Sequence, residues 1–282
     1  MYSAKFIGDS GATFYFGYEQ GTIFDIDPLS EVDVEISTSQ GFRQTGTTVE
    51  AEAVEGVSRQ IKGVFIDGTD TVLPKEMIDA FAPGVHGKLY YNNDYYCECV
   101  VEKTPAMTLK NRKRTFELML YCPYPYWLNV SSIISQIGGY TAAFSFPVCY
   151  DSHIFGVVND SLITDVYNSG NAERPISVKF SCLTEVSNYG IENVETDEFL
   201  KLNDTLSIGE VVNVYWDDGK LKVEKTVDGV TSNIFSLLDE DSTLFYAAVG
   251  SNIFQQFADE GMDQLIVYVT MTEATAGVAA DV

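Results

Sequence analysis

The chain has 282 residues, 45% hydrophobic and 21% charged, enough for two domains with cores of ordinary size and too apolar for a disordered chain. No apolar run approaches the ~20 residues of a membrane-spanning helix, so membrane insertion is not expected. The formal charge is −24, from 41 acids against 17 bases, which repels phosphate and argues against sequence-specific DNA or RNA binding.

Met1 to Asp9 lacks the basic start and apolar block of a secretory signal, so synthesis in the cytoplasm is expected. Phe14, Tyr15, Phe16 and Tyr18 mark one or two strands before Asp27. Val32 to Ser37 alternates apolar residues with Asp33 and Glu35, as a half-exposed strand does. Gln40 to Gly56 is polar, glycine-dotted and without period, and reads as a long loop or protruding arm. Strand character resumes over Val57 to Ile66 and turns at Asp67-Gly68. Pro74 to Ala82 is the one strong helix. Pro74 suits the first helical position, Glu76 the positive end, and Met77, Ile78 and Phe81 form an apolar stripe before Pro83-Gly84 stops it.

Gly87 to Leu128 is the organising stretch. Asn92, Asn93 and Asp94 tolerate positive φ and join two apolar-aromatic runs into a tight hairpin. On the second run Cys97, Cys99 and Val101 face one way and Glu98, Val100 and Glu102 the other. After a basic loop, Phe116, Leu118, Leu120 and Cys122 share one face of a further strand. Pro123 and Pro125 end its ladder, and Tyr124, Tyr126 and Trp127 supply an aromatic plug. Strands, one helix and a hairpin describe an α+β domain with the helix on a sheet.

A serine- and glycine-rich stretch, Val130 to Gly139, suggests a boundary, dividing the chain into 1–129 and 130–282. Beyond it, Ile176 to Leu183, Phe199 to Leu202, Val211 to Trp216, Leu221 to Lys225, Ile234 to Leu238, Leu244 to Val249 and Leu265 to Thr272 read as strands. Asp218-Gly219 and Asp228-Gly229 are hairpin signals, and the spacing predicts a β-sandwich or jelly roll. Ala274 to Val282 reads as a loose terminus. The whole is mainly β. Charge is uneven: residues 1–128 hold 18 acids and 11 bases (−7), residues 129–282 hold 23 and 6 (−17).

Chemistry-bearing patterns are sparse. The five cysteines have no metal-type spacing and read as small buried thiols. His86 and His153 lack a nucleophile elbow, and no HExxH, Walker A or dinucleotide motif occurs. Asp239-Glu240-Asp241 and Asp217-Asp218 could offer oxygen ligands to calcium, but lack the EF-hand pattern and read as solvated loops. Tyr215, Trp216 and Tyr246 could form a sugar-stacking platform; core packing or an exposed hairpin end explains them equally. Lys110, Arg112, Lys113 and Arg114 form the one basic cluster, suited to an acidic surface of a neighbouring copy or partner. No catalytic, cofactor-binding or metal-ligating residue is assigned, and no cofactor is expected.

Gly87-Lys88-Leu89 opening the hairpin, the basic strand pair, and the closing Cys122-Pro-Tyr-Pro-Tyr-Trp127 resemble the N-terminal domain of distal tail proteins. These belong to phages with long non-contractile tails, mostly infecting Gram-positive bacteria. Val166-Tyr-Asn-Ser-Gly170 before Arg174-Pro-Ile-Ser-Val, Asp228-Gly229 before Asn233-Ile-Phe, and Ala247-Ala-Val-Gly-Ser-Asn252 resemble that family's galectin-like C-terminal domain. The resemblance implies a non-enzymatic homohexameric ring at the virion's tail tip. It implies the tail tube protein and the baseplate hub as neighbours, the tape-measure protein and DNA passing through, and receptor-binding or side-fibre proteins further out. The rival readings are a carbohydrate-binding module with no ring role and a cell-wall hydrolase.

Overall fold

The computed structural model describes residues 3–67, 71–110, 113–142, 156–158, 161–217 and 219–278. Mainly β with a single helix among the described residues, the chain separates into two compact units: Met1–Ser131 with Ala274–Val282, and Ser132–Glu273.

Unit 1 contains β1 (Ala4–Gly8), β2 (Thr13–Phe16), β3 (Thr22–Asp27), β4 (Val34–Ser39), β5 (Thr48–Val54), β6 (Val57–Phe65), α1 (Val72–Ala80), β7 (His86–Tyr91), β8 (Tyr95–Lys110), β9 (Lys113–Cys122) and β10 (Trp127–Asn129). The main sheet runs β2-β1-β7-β8-β9-β6-β3, all antiparallel. Alternation buries Phe6, Phe14, Phe16, Phe24, Ile26, Leu89, Phe116, Leu118 and Leu120 on one face. Helix α1 covers that face, and Phe81, just past its end, stacks on Phe6 at 4.4 Å between ring centroids. Gly87 sits where a Cβ would meet the Ile7 carbonyl oxygen at 2.4 Å and the Phe6 ring, so the β1–β7 contact admits only glycine.

The Asn92-Asn93 hairpin forms as expected, with φ of 49° and 61°. Three details of unit 1 differ from the sequence expectation. The helix starts at Val72, so Pro74 is its third residue, no acid lies in its first turn, and its buried side is Pro74, Met77 and Ala80 while Ile78 is 53% exposed. The expected basic loop before Thr115 is instead mostly strand. β8 continues to Lys110, with register shifts between Val101 and Lys103 and between Lys103 and Ala106 that accommodate Pro105, which cannot donate to a ladder. Residues 274–278 are not loose: Ala274–Thr275 pairs with β10, and Ala274 and Val278 are buried in unit 1, while 279–282 lie outside the described residues.

Unit 2 contains β11 (Ile133–Ile137), β12 (Tyr140–Ala142), β13 (Gly156–Val158), β14 (Ile163–Asp165), β15 (Arg174–Cys182), β16 (Val186–Asn193), β17 (Glu198–Leu206), β18 (Val211–Asp217), β19 (Lys220–Val227), β20 (Val230–Asn233), β21 (Tyr246–Ala247), β22 (Ile253–Glu260) and β23 (Leu265–Met271). Two sheets, β11-β23-β15-β18-β19-β20 and β14-β22-β16-β17, enclose one core. Val178, Phe180, Val214 and Val267 from the first meet Tyr189, Ile191, Leu202 and Phe254 from the second, and the Phe180 and Tyr189 rings lie 5.1 Å apart edge to face. This is a sandwich, as the strand spacing predicts.

Its differences from the sequence expectation have local causes. β11 lies inside the expected linker and pairs with β23. Ile234 to Leu238 is not a strand, because the Asn233 side chain accepts the Phe235 amide and starts a 3-10 turn at Phe235–Leu237. Of Leu244 to Val249, only Tyr246–Ala247 pairs. β16 and β22 went unrecognised. A bulge at Asn188, with φ of 49°, breaks the alternation of β16. Gln256 occupies a fully buried position of β22, donating to the Met262 and Leu265 carbonyls. Asp228-Gly229 turns β19 into β20 as expected; Asp218 lies outside the described residues.

Candidate functional site

The stretch Gln40 to Gly56, expected as a loop or arm, instead contains a strand, β5, which pairs with β4, the strand expected to be half-exposed; every residue from 33 to 55 is exposed. Val34 opposes Val54 and Ile36 opposes Glu52; a register shift after Ser37 then brings Val49 opposite Thr38. Opposed residues share a face, so the shift keeps Val49 on the side of Val34, Ile36 and Val54. The result is an exposed apolar stripe, with Phe42 94% exposed at the tip and the Arg43 guanidinium 5.4 Å from its ring centre. An isolated hairpin is marginal in water. An apolar face with nothing beneath it is the signature of a surface made to be covered.

The arm's root is fastened by a clamp that the sequence reading missed. Arg59, on β6, is fully buried and donates to the Pro28 carbonyl and, at 2.6 Å, to the Pro125 carbonyl. Its guanidinium lies 4.6 Å from the centre of the Trp127 ring, itself fully buried. The Trp127 indole N–H donates to the Leu29 carbonyl at 2.9 Å, and the Glu55 amide to the Asp33 carbonyl closes the arm's base. The proline-aromatic closure thus does more than end a ladder: it grips the segment from which the arm leaves. One signal was available. Val57, Arg59, Ile61 and Phe65 share the parity of β6 that faces the core.

The basic cluster lies at the β8–β9 tip, where Lys110 pairs with Lys113; Arg112 is outside the described residues. His86 is exposed at the start of β7, and His153 lies outside the described residues. Cys97, Cys99 and Cys122 are buried and unbridged in unit 1, and Cys182 in unit 2. Among the described residues, no three His, Cys, Asp or Glu are arranged to hold a metal ion. Asp239 accepts from the Asn203 side chain and the Asp241 amide, contacts that hold its carboxyl below the usual carboxylate range.

In unit 2 the structure does bring Trp216 and Tyr246 together, with ring centres 5.6 Å apart, while the Tyr215 hydroxyl donates to Glu224. Trp216 is half-buried, edge-on to Phe245, and its indole N–H is buried rather than offered to a ligand. Packing therefore explains it. Trp216→Ala is expected to lower unit 2's stability by about 2 kcal/mol in thermal unfolding. Glycan-array binding by the native chain that vanishes in this variant would contradict that assignment.

Two buried asparagines account for the sequence patterns in unit 2. Asn168 Nδ2 donates to the Ala172 carbonyl and its Oδ1 accepts the Gly170 amide. Asn252 Oδ1 accepts the Ala248 amide, while its Nδ2 reaches the Val166, Ala248 and Gly250 carbonyls at 2.9–3.2 Å. Asn252→Ala strands these groups and is expected to cost about 3 kcal/mol. Asn252→Asp puts a carboxyl against three carbonyl oxygens, which raises its folded pKa above the unfolded value. Its penalty is therefore absent below the unfolded pKa and grows as pH rises, so denaturant titrations near pH ~5 and ~8 should show the larger loss at the higher pH.

No protein-family model matches the sequence, and no curated protein is similar to it. Solved structures are. The chain is similar over 96% of its length to the Dit protein of phage SPP1, described as a paradigm of the hub adsorption apparatus in phages infecting Gram-positive bacteria. The match covers 98% of that chain, with a TM-score of 0.68 and 12% identity. It is also similar to a chain of the phage P2 baseplate in its activated conformation with calcium, covering 99% and 100% of the two chains, with a TM-score of 0.56 and 9% identity. The strontium form of the phage p2 baseplate gives a TM-score of 0.53. At such identities the likeness is one of fold: both units follow the architecture of phage tail and baseplate proteins.

Proposed function

We propose that this chain is a structural tail-tip protein of a phage with a long non-contractile tail, with six copies closing a ring through residues 1–129. The reading rests chiefly on one observation: end-to-end fold likeness to a phage hub protein, covering nearly all of both chains. The arm supports it, since a solvent-exposed apolar hairpin on a clamped root suits a neighbouring copy. In this reading the arm embraces the next subunit, the tail tube protein sits on one side of the ring and the baseplate hub on the other. The tape-measure protein and then DNA pass through the lumen, where acids outnumber bases because a basic lining would hold phosphate. Residues 130–282, a galectin-like sandwich carrying −17 over residues 129–282, point outward toward receptor-binding or side-fibre proteins, since six such surfaces face to face would repel. The chain acts without catalysis and resides in the virion.

Negative-stain imaging of the purified chain, alone and mixed with the tail tube protein, tests this. Six-fold rings are expected in at least one sample. Single particles in both, at concentrations where the tube protein itself polymerises, would refute the ring.

A further inference from the structure

Cys97, Cys99 and Cys122 lie on facing stretches of β8 and β9, buried in unit 1. The Cys97 and Cys122 sulfurs are 3.6 Å apart although the residues are 25 positions apart in the chain. That is van der Waals contact; side-chain rotation that closes the gap by about 1.5 Å would bring them to the ~2.05 Å of a disulfide. The Cys99 thiol donates to the Gly87 carbonyl at 3.6 Å and also interacts with Cys122.

The three sulfurs are not equivalent. Contact with the Cys97 and Cys99 thiols, together with the charge of the Arg59 guanidinium, holds Cys122 well below the ordinary thiol range. Burial pushes Cys97 up. The cluster thus holds one sulfur biased toward thiolate beside a protonated partner, the arrangement that thiol–disulfide exchange uses. Cys122 is also the last residue of β9, followed by Pro123, which cannot extend the ladder. Strand ends open first, so transient fraying offers a small reagent a route to a sulfur that is buried in the closed state.

We infer that Cys97 and Cys122 form a latent disulfide site, reduced while the chain is in a thiol-rich compartment and closed by a low-molecular-weight disulfide outside it. The Cys122 thiolate attacks one sulfur of the reagent, forming a mixed disulfide and expelling one thiolate. Cys97 then attacks the Cys122 sulfur, its proton passing to a leaving thiolate, and expels the second. The protein loses two electrons and the Cys97 proton, and the reagent leaves as one thiol and one thiolate, which takes its proton from solvent. The bond would fasten β8 to the end of β9, beside the Arg59–Trp127 clamp. It does not depend on the function proposed above.

Oxidised glutathione added to the native full-length chain, followed by alkylation in denaturant and peptide mapping, is the test. A linked Cys97–Cys122 peptide is expected, with a midpoint of thermal unfolding several degrees above that of the reduced chain. Cys97→Ser should stop at a mixed disulfide on Cys122, while Cys182→Ser should leave the link intact. Free thiols throughout, under conditions that oxidise the denatured chain, would overturn the inference. So would a link from Cys122 to Cys99, or glutathione retained on Cys122 in the unmutated chain. The unmutated chain alone decides these outcomes, whether or not the variants fold.

Discussion

Excising the arm, residues 34–54, with a short glycine bridge is expected to abolish self-association while leaving the subunit folded. Val34, Ile36, Val49 and Val54 are each 44–54% exposed, so covering them in a neighbour removes roughly half of each side chain from water. At about 1 kcal/mol apiece that is on the order of 4 kcal/mol per arm, or about a thousandfold in an association constant. Ordering costs on association reduce the gain, while Phe42 at the tip adds to it. None of the four belongs to the unit 1 core, so the monomer's own stability should change by no more than about 0.5 kcal/mol. Deleting only residues 42–55 should weaken assembly too, but it leaves β4 without its partner and invites aggregation. Light scattering across a concentration series separates the cases. An arm-less chain that assembles as well as the native one would mean that the apolar stripe serves something other than another copy.

Arg59→Met is expected to destabilise unit 1 by about 3 kcal/mol, a fall of about 10 °C in its unfolding midpoint. Two effects compete. Removing a buried charge relieves a desolvation cost, and apolar replacements of buried ions are often tolerated. Here, however, the acceptors are the main-chain carbonyls of Pro125, which is buried, and Pro28, which is partly so, and both lose their donor whatever replaces the arginine. The unsatisfied carbonyls and the lost stacking on Trp127 should win. Arg59→Lys restores the charge but not the fork, and should recover part of the loss. Because Pro28 and Leu29 lead into the arm, the Met variant should also expose the 30–56 segment to proteolysis before the rest of unit 1 unfolds. Unchanged cleavage there would separate the clamp from the arm.

The fragments separate the two units in the same terms. Residues 132–273 contain the whole sandwich core and should fold alone. A fragment ending near Leu128 should not match the intact unit 1. It lacks the Ala274–Thr275 strand against β10 and the buried Val278, so it should unfold at lower temperature than a version that restores residues 274–282.

Local chemistry determined much of this fold. Two asparagines that tolerate positive φ, set between apolar runs, specify the β7–β8 hairpin without reference to anything distant. The same holds for Asp228-Gly229 and for the strict alternation of β9, where Phe116, Leu118, Leu120 and Cys122 are all buried. A polar break in periodicity marked the stretch that carries the arm, and a mainly β chain followed from strand spacing. What only the tertiary structure decided involves polar residues in the interior and pairings across long separations. Arg59 is buried because carbonyls 31 and 66 positions away accept its hydrogen bonds, and no window on the sequence contains both. Gln256 hides β22 by filling a core position with an amide, although its acceptors, the Met262 and Leu265 carbonyls, lie only 6 and 9 positions away. Val49 joins the arm's apolar side of Val34, Ile36 and Val54 only through the register shift after Ser37. Residues 274–278 read as loose because a short run of mostly small residues has no pattern of its own. They are ordered by the unpaired edge of β10, which lies almost 150 positions earlier and needs a partner for its backbone groups.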